Sequence, residues 1–361
     1  MGNYNEYFLV GIIYTSSDNG LTAYFVYVSG EHIELAKAEV EVLLNQCSTK
    51  TELAWFGRLA KIVMSNNPTD FLLERAALIQ YAGIILYESN SIDDVTQGIS
   101  DDKWISHIAK QDDFAVKTLC VGENIELDIR LQIERNLGAH IVKTTGASVN
   151  LRNPSVQILV LILSEGILIC KSDTSKLRVL LRGREPGKKE FFHPSMMNSS
   201  LARVMCNLAG VQIGDIVLDP FCGGGGILCE ASHIGASVIG IDLSWKLLIG
   251  ARTNLSKISL NYSLIQGDTQ HIPINSVDCI VTDPPYGRAS STRGNIAIKL
   301  VESLLEDADS ILQSKGECMC LCCDSEMQLS QVVQNAGLTV ARQLSVRVHS
   351  GLVRDIITIR I

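Results

Sequence analysis

From Ser195 to the end of the chain, short apolar runs suited to strands alternate with amphipathic stretches suited to helices, and this order leaves few folds open. Leu201, Val204, Met205, Leu208 and Ala209 share one helical face. Strand Ile216–Leu218 leads into Asp219-Pro220-Phe221-Cys222 and four consecutive glycines, Gly223–Gly226, before a helix through Ile227, Leu228 and Ala231. Strand Val238–Ile241 ends at Asp242, a helix covers Ser244–Leu255, and strands follow at Tyr262–Gln266 and Cys279–Thr282. Ala297, Leu300, Val301, Leu304, Leu305, Ala308, Ile311 and Leu312 mark a long amphipathic helix. Strand Glu317–Cys323 and a helix over Glu326–Ala336, stopped by Gly337, come next. Strands near Val340–Val348 and Ile356–Ile361 have no helix between them, which predicts an antiparallel hairpin. The pattern as a whole predicts a doubly wound α/β sheet with helices on both faces.

The first half is less regular. Strands are expected over Tyr7–Tyr14 and Ala23–Val28, then a helix from His32 to Leu44 with Leu35, Ala36, Val40, Leu43 and Leu44 on one face. Helices are expected over Asp70–Ala82 and Asn124–Leu137, and strands at Ile84–Tyr87, Gln157–Leu163 and Gly166–Cys170. Asn153-Pro154 reads as a turn, and Ser164-Glu165-Gly166 as the hairpin between the last two strands.

At 361 residues the chain has room for two or three domains. Hydrophobic residues at 46% against 19% charged exclude a disordered chain. The longest apolar run, Ile158–Leu163, is too short to span a membrane, and the first residues lack the basic and apolar regions of a secretion signal. Eleven cysteines, odd in number and without framework spacing, fit reduced thiols in a cytoplasmic protein. A net charge of −8 argues mildly against a polyanionic partner, but the balance reverses locally. Lys171, Lys176, Arg178, Arg182, Arg184, Lys188 and Lys189 are opposed only by Asp173 and Glu185, and Gly183, Pro186 and Gly187 break any long helix. The stretch reads as a basic linker, either merely solvated or in contact with phosphates.

In a doubly wound sheet a ligand sits beyond the carboxyl ends of the strands. Gly223–Gly226 let the backbone turn sharply and approach a ligand, and a turn without function would not need four glycines. Asp242, nineteen residues after Gly223, stands where a carboxylate accepts both ribose hydroxyls of an adenosine-bearing cofactor. A dinucleotide fingerprint would need a third glycine at the position of Leu228. Asp219 would crowd a pyrophosphate but suits a cationic methionine moiety, so S-adenosyl-L-methionine is the better candidate. Asp268, after the third strand, could accept from an adenine amino group. Asp283-Pro284-Pro285-Tyr286-Gly287 is the strongest signal. Two prolines hold the loop extended and remove two N–H donors, leaving the Asp283 carboxylate and Pro284 carbonyl as acceptors. A planar exocyclic amine has two donors to match them, and Tyr286 offers a face on which a base can stack.

Asp219–Gly226, Asp242, Asp268 and Asp283–Gly287, in this order, resemble the S-adenosylmethionine-dependent amino-methyltransferases. DPFCGGGG upstream, with DPPYGR followed by Ser290, Ser291 and Thr292, is similar to the archaeal tRNA (guanine-10-N2)-methyltransferase family. The resemblance implies a Rossmann-like catalytic domain with an antiparallel terminal hairpin, preceded by α+β ferredoxin-like and THUMP domains. The expected boundaries are 1–55 ferredoxin-like, 56–172 THUMP, 173–192 basic linker and 193–361 catalytic domain.

It further implies that Asp219, Gly223 and Gly225 hold the methionine part of the cofactor, Asp242 the ribose and Asp268 the adenine. Asp283, Pro284 and Tyr286 would hold the target guanine, flipped out of its helix. Lys188, Lys189, Arg288 and Arg293 would meet RNA phosphates. The expected partner is tRNA, with no membrane, and the protein is expected to be a monomer; a small activating subunit is left open. The family pattern reads DPFCGTGG, so Gly224 stands where a threonine is usual, and loss of that hydroxyl is expected to weaken the methionine end of the site.

Alternatives remain: the same chemistry at another tRNA or ribosomal RNA guanine, N6-methylation of adenine in DNA, a nicotinamide oxidoreductase, or a non-catalytic RNA-binding module. Cys318, Cys320 and Cys322 alternate on one strand face, which suits packing better than metal enclosure, and no metal site is expected. Cys222 is expected to pack rather than react, and His193 to be a loop residue.

Overall fold

The structure is a computed structural model that describes residues 20–47, 51–90, 98–122, 125–164, 166–270, 272–285, 291–312, 317–349 and 352–360. The strand expected over Tyr7–Tyr14 lies outside them. The chain divides into two compact units: one of residues 1–33, 44–74 and 79–176, the other of 34–43, 75–78 and 177–361.

In chain order the first unit carries β1 (Thr22–Val28), part of α1 (Ile33–Cys47), β2 (Glu52–Phe56), β3 (Leu59–Met64), α2 (Thr69–Arg75) and β4 (Ile79–Ser89). It continues through α3 (Asp101–His107), β5 (Asp113–Cys120), α4 (Leu127–Thr145), β6 (Ser148–Val149), β7 (Val156–Leu163) and β8 (Gly166–Thr174). One eight-stranded sheet results, ordered β2-β3-β1-β4-β8-β7-β5-β6. β5 runs parallel to β6 and β7; the other pairs are antiparallel. β7 shows why the sheet is buried on both faces. Ile158, Val160 and Ile162 join Trp104 of α3 and Ile133, Leu137 and Ile141 of α4, whereas Leu159 and Leu161 join Phe25, Tyr27 and Cys170. The helix expected to end at Leu137 runs on to Thr145, because Ile141 continues the buried face, and it stops where Gly146 turns left-handed at φ 73°.

The helix expected over Asp70–Ala82 is instead α2 followed by strand β4. The backbone N–H groups of Ala77 and Leu78 donate to the Glu39 carboxylate, at 2.9 and 3.0 Å, rather than to helix carbonyls. Glu39 lies on the portion of α1 that belongs to the second unit and also accepts from Asn207 Nδ2 at 2.7 Å.

The second unit continues with α5 (Lys176–Gly183), α6 (Ser199–Leu208), β9 (Ile216–Asp219), α7 (Gly226–Ile234), β10 (Ser237–Asp242), α8 (Trp245–Leu255) and β11 (Tyr262–Gln266). β12 (Cys279–Thr282), α9 (Ser291–Ile311), β13 (Glu317–Asp324), α10 (Leu329–Asn335), β14 (Thr339–His349) and β15 (Leu352–Arg360) complete it. The sheet order is β11-β10-β9-β12-β13-β15-β14, parallel except for β15, which is antiparallel to both neighbours. The terminal strands therefore pair as a hairpin. Val217 faces α6 and α7, and Leu218 faces α9 and α10, so each parallel strand is apolar on both sides.

β13 follows the same rule: Cys318, Cys320 and Cys322 enter one apolar cluster, and Met319, Leu321 and Cys323 the other. Asn198 caps α6 by accepting from Leu201 N at 2.7 Å. The helix expected over Glu326–Ala336 is interrupted at Gln328, whose φ of 47° separates a short 3₁₀ turn from α10. The segment expected as a linker carries α5, which buries Leu177 and Leu181. Among the described residues no helix is long and apolar enough to cross a membrane.

Candidate active site

The sheet turns back at its centre: β10 and β11 lie on one side of β9, and β12 and β13 on the other. A ligand crevice opens at such a reversal, beyond the carboxyl ends of the strands. β9 ends there in Asp219 and β12 in Thr282, directly before Asp283.

Asp219 is 2% exposed. Its Oδ1 accepts from Thr282 Oγ1 at 2.6 Å and from Phe221 N at 3.1 Å. Burial pushes its carboxyl up to about 7; the two hydrogen bonds oppose the rise, and the charges of Asp283 and Asp242 add to it. The glycine turn follows. Gly223 and Gly225 adopt φ of 51° and 78°, a region that side chains disfavour, and the Gly225 N–H donates to Cys222 O at 2.8 Å. Nothing lies within 4 Å of where a Cβ on Gly223 would stand, so the turn opens onto space beside the first turn of α7. Helix amides and an acidic strand end around an open glycine turn fit a cofactor with a cationic methionine moiety and an adenosine.

Asp242 braces this turn. Its Oδ2 accepts from Gly223 N at 2.9 Å and its Oδ1 from Ser244 N at 2.7 Å. The Asp242 carbonyl accepts from Gly267 N at 3.3 Å, which ties in the next strand end. Asp268 itself is exposed, with Oδ1 accepting from Gln270 N at 3.1 Å. Asp283 is half-buried and pairs with Arg354 of β15, whose Nη1 lies 3.3 Å from Oδ2. Pro284 is buried and Pro285 exposed. Asp219, Gly223, Gly225, Asp242 and Asp283 thus meet around one crevice, with Asp268 on the adjoining strand end.

Tyr286 and Arg288 lie outside the described residues, and Arg293 is placed only as backbone in α9. Lys188 is exposed and donates to Arg182 O at 2.7 Å, and Lys189 turns towards Cys229 of α7. Arg184 leaves the basic stretch to pair with buried Glu230 at 3.3 Å. Cys222 is 5% exposed and its thiol is pushed up by burial, in keeping with packing.

Three contributors escape a reading of the sequence. Thr282 ends an apolar strand with a hydroxyl, a signal that was present. Arg354 lies just before the apolar run that marks the last strand, and β15 starts early enough to include it. Asn254 sits on the apolar face of α8, where its Nδ2 donates to Gly224 O at 3.1 Å and Phe191 O at 3.2 Å, and its Oδ1 accepts from Phe191 N. Gly224 departs from the family pattern for a visible reason. A Cβ there would stand 2.7 Å from Met196 Sδ and 3.2 Å from Phe191 Cε1, so these side chains hold the space a threonine would need.

Residues 186–356 match the RMKL-like methyltransferase domain family, and residues 89–170 match the THUMP domain. Fold and site together define an S-adenosylmethionine-dependent methyltransferase. The chain is 30% identical over 339 residues to the tRNA (guanine(10)-N2)-dimethyltransferase of Methanothermobacter thermautotrophicus, covering 92% of this chain and 97% of that one. Identity to the Methanocaldococcus jannaschii protein of the same name is 30% over 355 residues, 91% of this chain and 97% of the relative. The crystal structure of TrmN from Thermus thermophilus shares the fold, with a TM-score of 0.56 over 94% of this chain and 99% of that one at 19% identity. The chain belongs to the family of THUMP-domain methyltransferases that includes the archaeal tRNA (guanine(10)-N2)-dimethyltransferases.

Proposed function

We propose that this enzyme methylates the exocyclic N2 amine of guanosine in tRNA, at position 10, adding one or two methyl groups. The observation that carries the reading is the Asp283-Pro284 acceptor pair, set one strand from the glycine turn and joined to it through the Thr282–Asp219 hydrogen bond. Full-length likeness to relatives named for that nucleotide supports the choice of substrate.

S-adenosylmethionine, when bound, supplies an electrophilic methyl group on a sulfonium. Asp219 and the Gly223–Gly225 backbone would hold its methionine part, Asp242 the ribose and Asp268 the adenine. Asp283 and the Pro284 carbonyl accept the two amine hydrogens of the guanine, and Tyr286 stacks on the base. This turns the nitrogen lone pair towards the methyl group. The fixed Asp283 carboxylate would stabilise positive charge developing on the amine nitrogen without reorganising. Lys188, Lys189, Arg288 and Arg293 contact RNA phosphates.

The test is methyl transfer from labelled S-adenosylmethionine to unmodified tRNA transcripts with nucleoside analysis. Label in N2-methylguanosine and N2,N2-dimethylguanosine is expected, and it should vanish when position 10 is not guanosine. Label in another nucleoside, or none in tRNA, overturns the proposal.

A further inference from the structure

We propose that Arg354 is a positioning residue for Asp283: its guanidinium fixes the direction of the carboxylate and keeps it in the acceptor form that faces the target amine. The inference rests on the reading of Asp283 given above and adds to it a residue 71 positions away in the chain.

The hairpin places Arg354 there for a topological reason. β15 is inserted antiparallel between β13 and β14, so its amino-terminal end reaches the edge where the parallel strands end. Arg354 stands opposite Asp324 on β13 and Val346 on β14, with its side chain 16% exposed against 15% for Asp283. An ion pair this sheltered is screened less than a surface pair.

The surroundings make the cation necessary. Asp283 faces Asp219 from β9, Cys322 and Cys323 from β13, and Arg354 from β15. Both thiols are buried and pushed up, so among these described groups Arg354 is the positive one. The Asp283 charge adds to the proton affinity of buried Asp219, and Arg354 is the opposite charge paired with Asp283 where these carboxylates crowd together. A protonated Asp283 would have one acceptor oxygen fewer and no charge to set against the developing ammonium. In this arrangement Asp283 is an acceptor held by Arg354, and the amine proton displaced by methylation leaves to water.

Two measurements test this on the full chain. The first follows the Asp283 carboxyl by carbon-13 NMR in protein with labelled aspartate, assigned through Asp283→Asn, and requires no RNA. In Arg354→Gln the carboxyl should titrate about one pH unit or more higher; an unchanged titration overturns the inference. The second measures methyl transfer to tRNA. Arg354→Gln should lower kcat by about 10- to 100-fold and move the acid limb of the pH profile upward, with KM for cofactor and tRNA nearly unchanged. Arg354→Lys should restore the titration and part of the rate, and it guards against misfolding of the glutamine variant. A loss appearing only in KM, or a pH profile that stays in place, overturns the inference. Wild-type protein that leaves tRNA guanosine unmodified breaks the substrate reading, while the NMR titration still decides whether Arg354 holds Asp283.

Discussion

The two sheets differ in which strand ends they bring to one edge. In the first unit most neighbours are antiparallel, so successive strands end on opposite edges. Its charges pair across strands at partly exposed positions, as with Lys61 and Glu88. In the second unit β11, β10, β9, β12 and β13 all point one way. Their carboxyl ends bring Asp219, Asp242, Asp268 and Asp283 to one side of the sheet. Burying a carboxylate is costly and like charges nearby add to it; the raised carboxyl of Asp219 comes first from burial and then from the charges of Asp283 and Asp242. The comparison separates a sheet built for packing from one that accepts electrostatic strain to make a site for a cation.

The sharpest way to break this comparison is to damage the first sheet's core. Trp104 is fully buried there, and Trp104→Ala should cost about 3–5 kcal/mol in denaturant unfolding. Calorimetry on the still-folded variant should find S-adenosylhomocysteine affinity unchanged; a parallel loss would mean that the division of labour is false. In the second unit, Asp283→Asn should cut methyl transfer by roughly 10²- to 10³-fold while cofactor binding persists. An active variant would remove the strand-end cluster from the chemistry.

Asp219 sharpens the contrast through pH. With its carboxyl at about 7 before binding, a cationic cofactor favours the ionised form, so binding releases a proton below that pH. Affinity for S-adenosylmethionine should fall up to about tenfold per pH unit below about 7 and be flat above it, and Asp219→Asn should flatten the whole curve. The cofactor-free protein shows the reverse sign in stability. Between the unfolded value of about 3.9 and about 7 folding takes up a proton, so stability falls as pH rises through that window and then levels. The smallest effect is expected at the basic stretch. Lys188→Glu with Lys189→Glu should weaken tRNA binding modestly and reduce its salt slope by about 1 for each phosphate no longer neutralised. An unchanged slope would leave these lysines to their interactions with Arg182 and α7.

The parallel sheet was legible because its strands are continuous apolar runs punctuated by helices, and its chemistry sits at strand ends that a sequence marks with aspartate. β11 and β12 stand where the apolar pattern puts them. What sequence could not show was partnership across distance. Thr282 meets Asp219 over 63 positions, and Asn207 meets Glu39 over 168. The Glu39 carboxylate also explains the overlong helix expected after Asp70: Leu72, Leu73, Ala76 and Ala77 carry a helical pattern, but this remote carboxylate claims the amides that would have extended it.

The packing over Gly224 has an evolutionary consequence. Phe191 presses so closely that a Cβ on Gly250 would stand 2.2 Å from its ring, while Met196 fills the room above Gly224. These four positions form an epistatic set. Restoring the threonine alone would collide with Met196, and removing Met196 alone would leave a hole beside the glycine turn. A threonine at 224 would require Met196 to shift, so the effect of any one of these substitutions depends on the background that receives it.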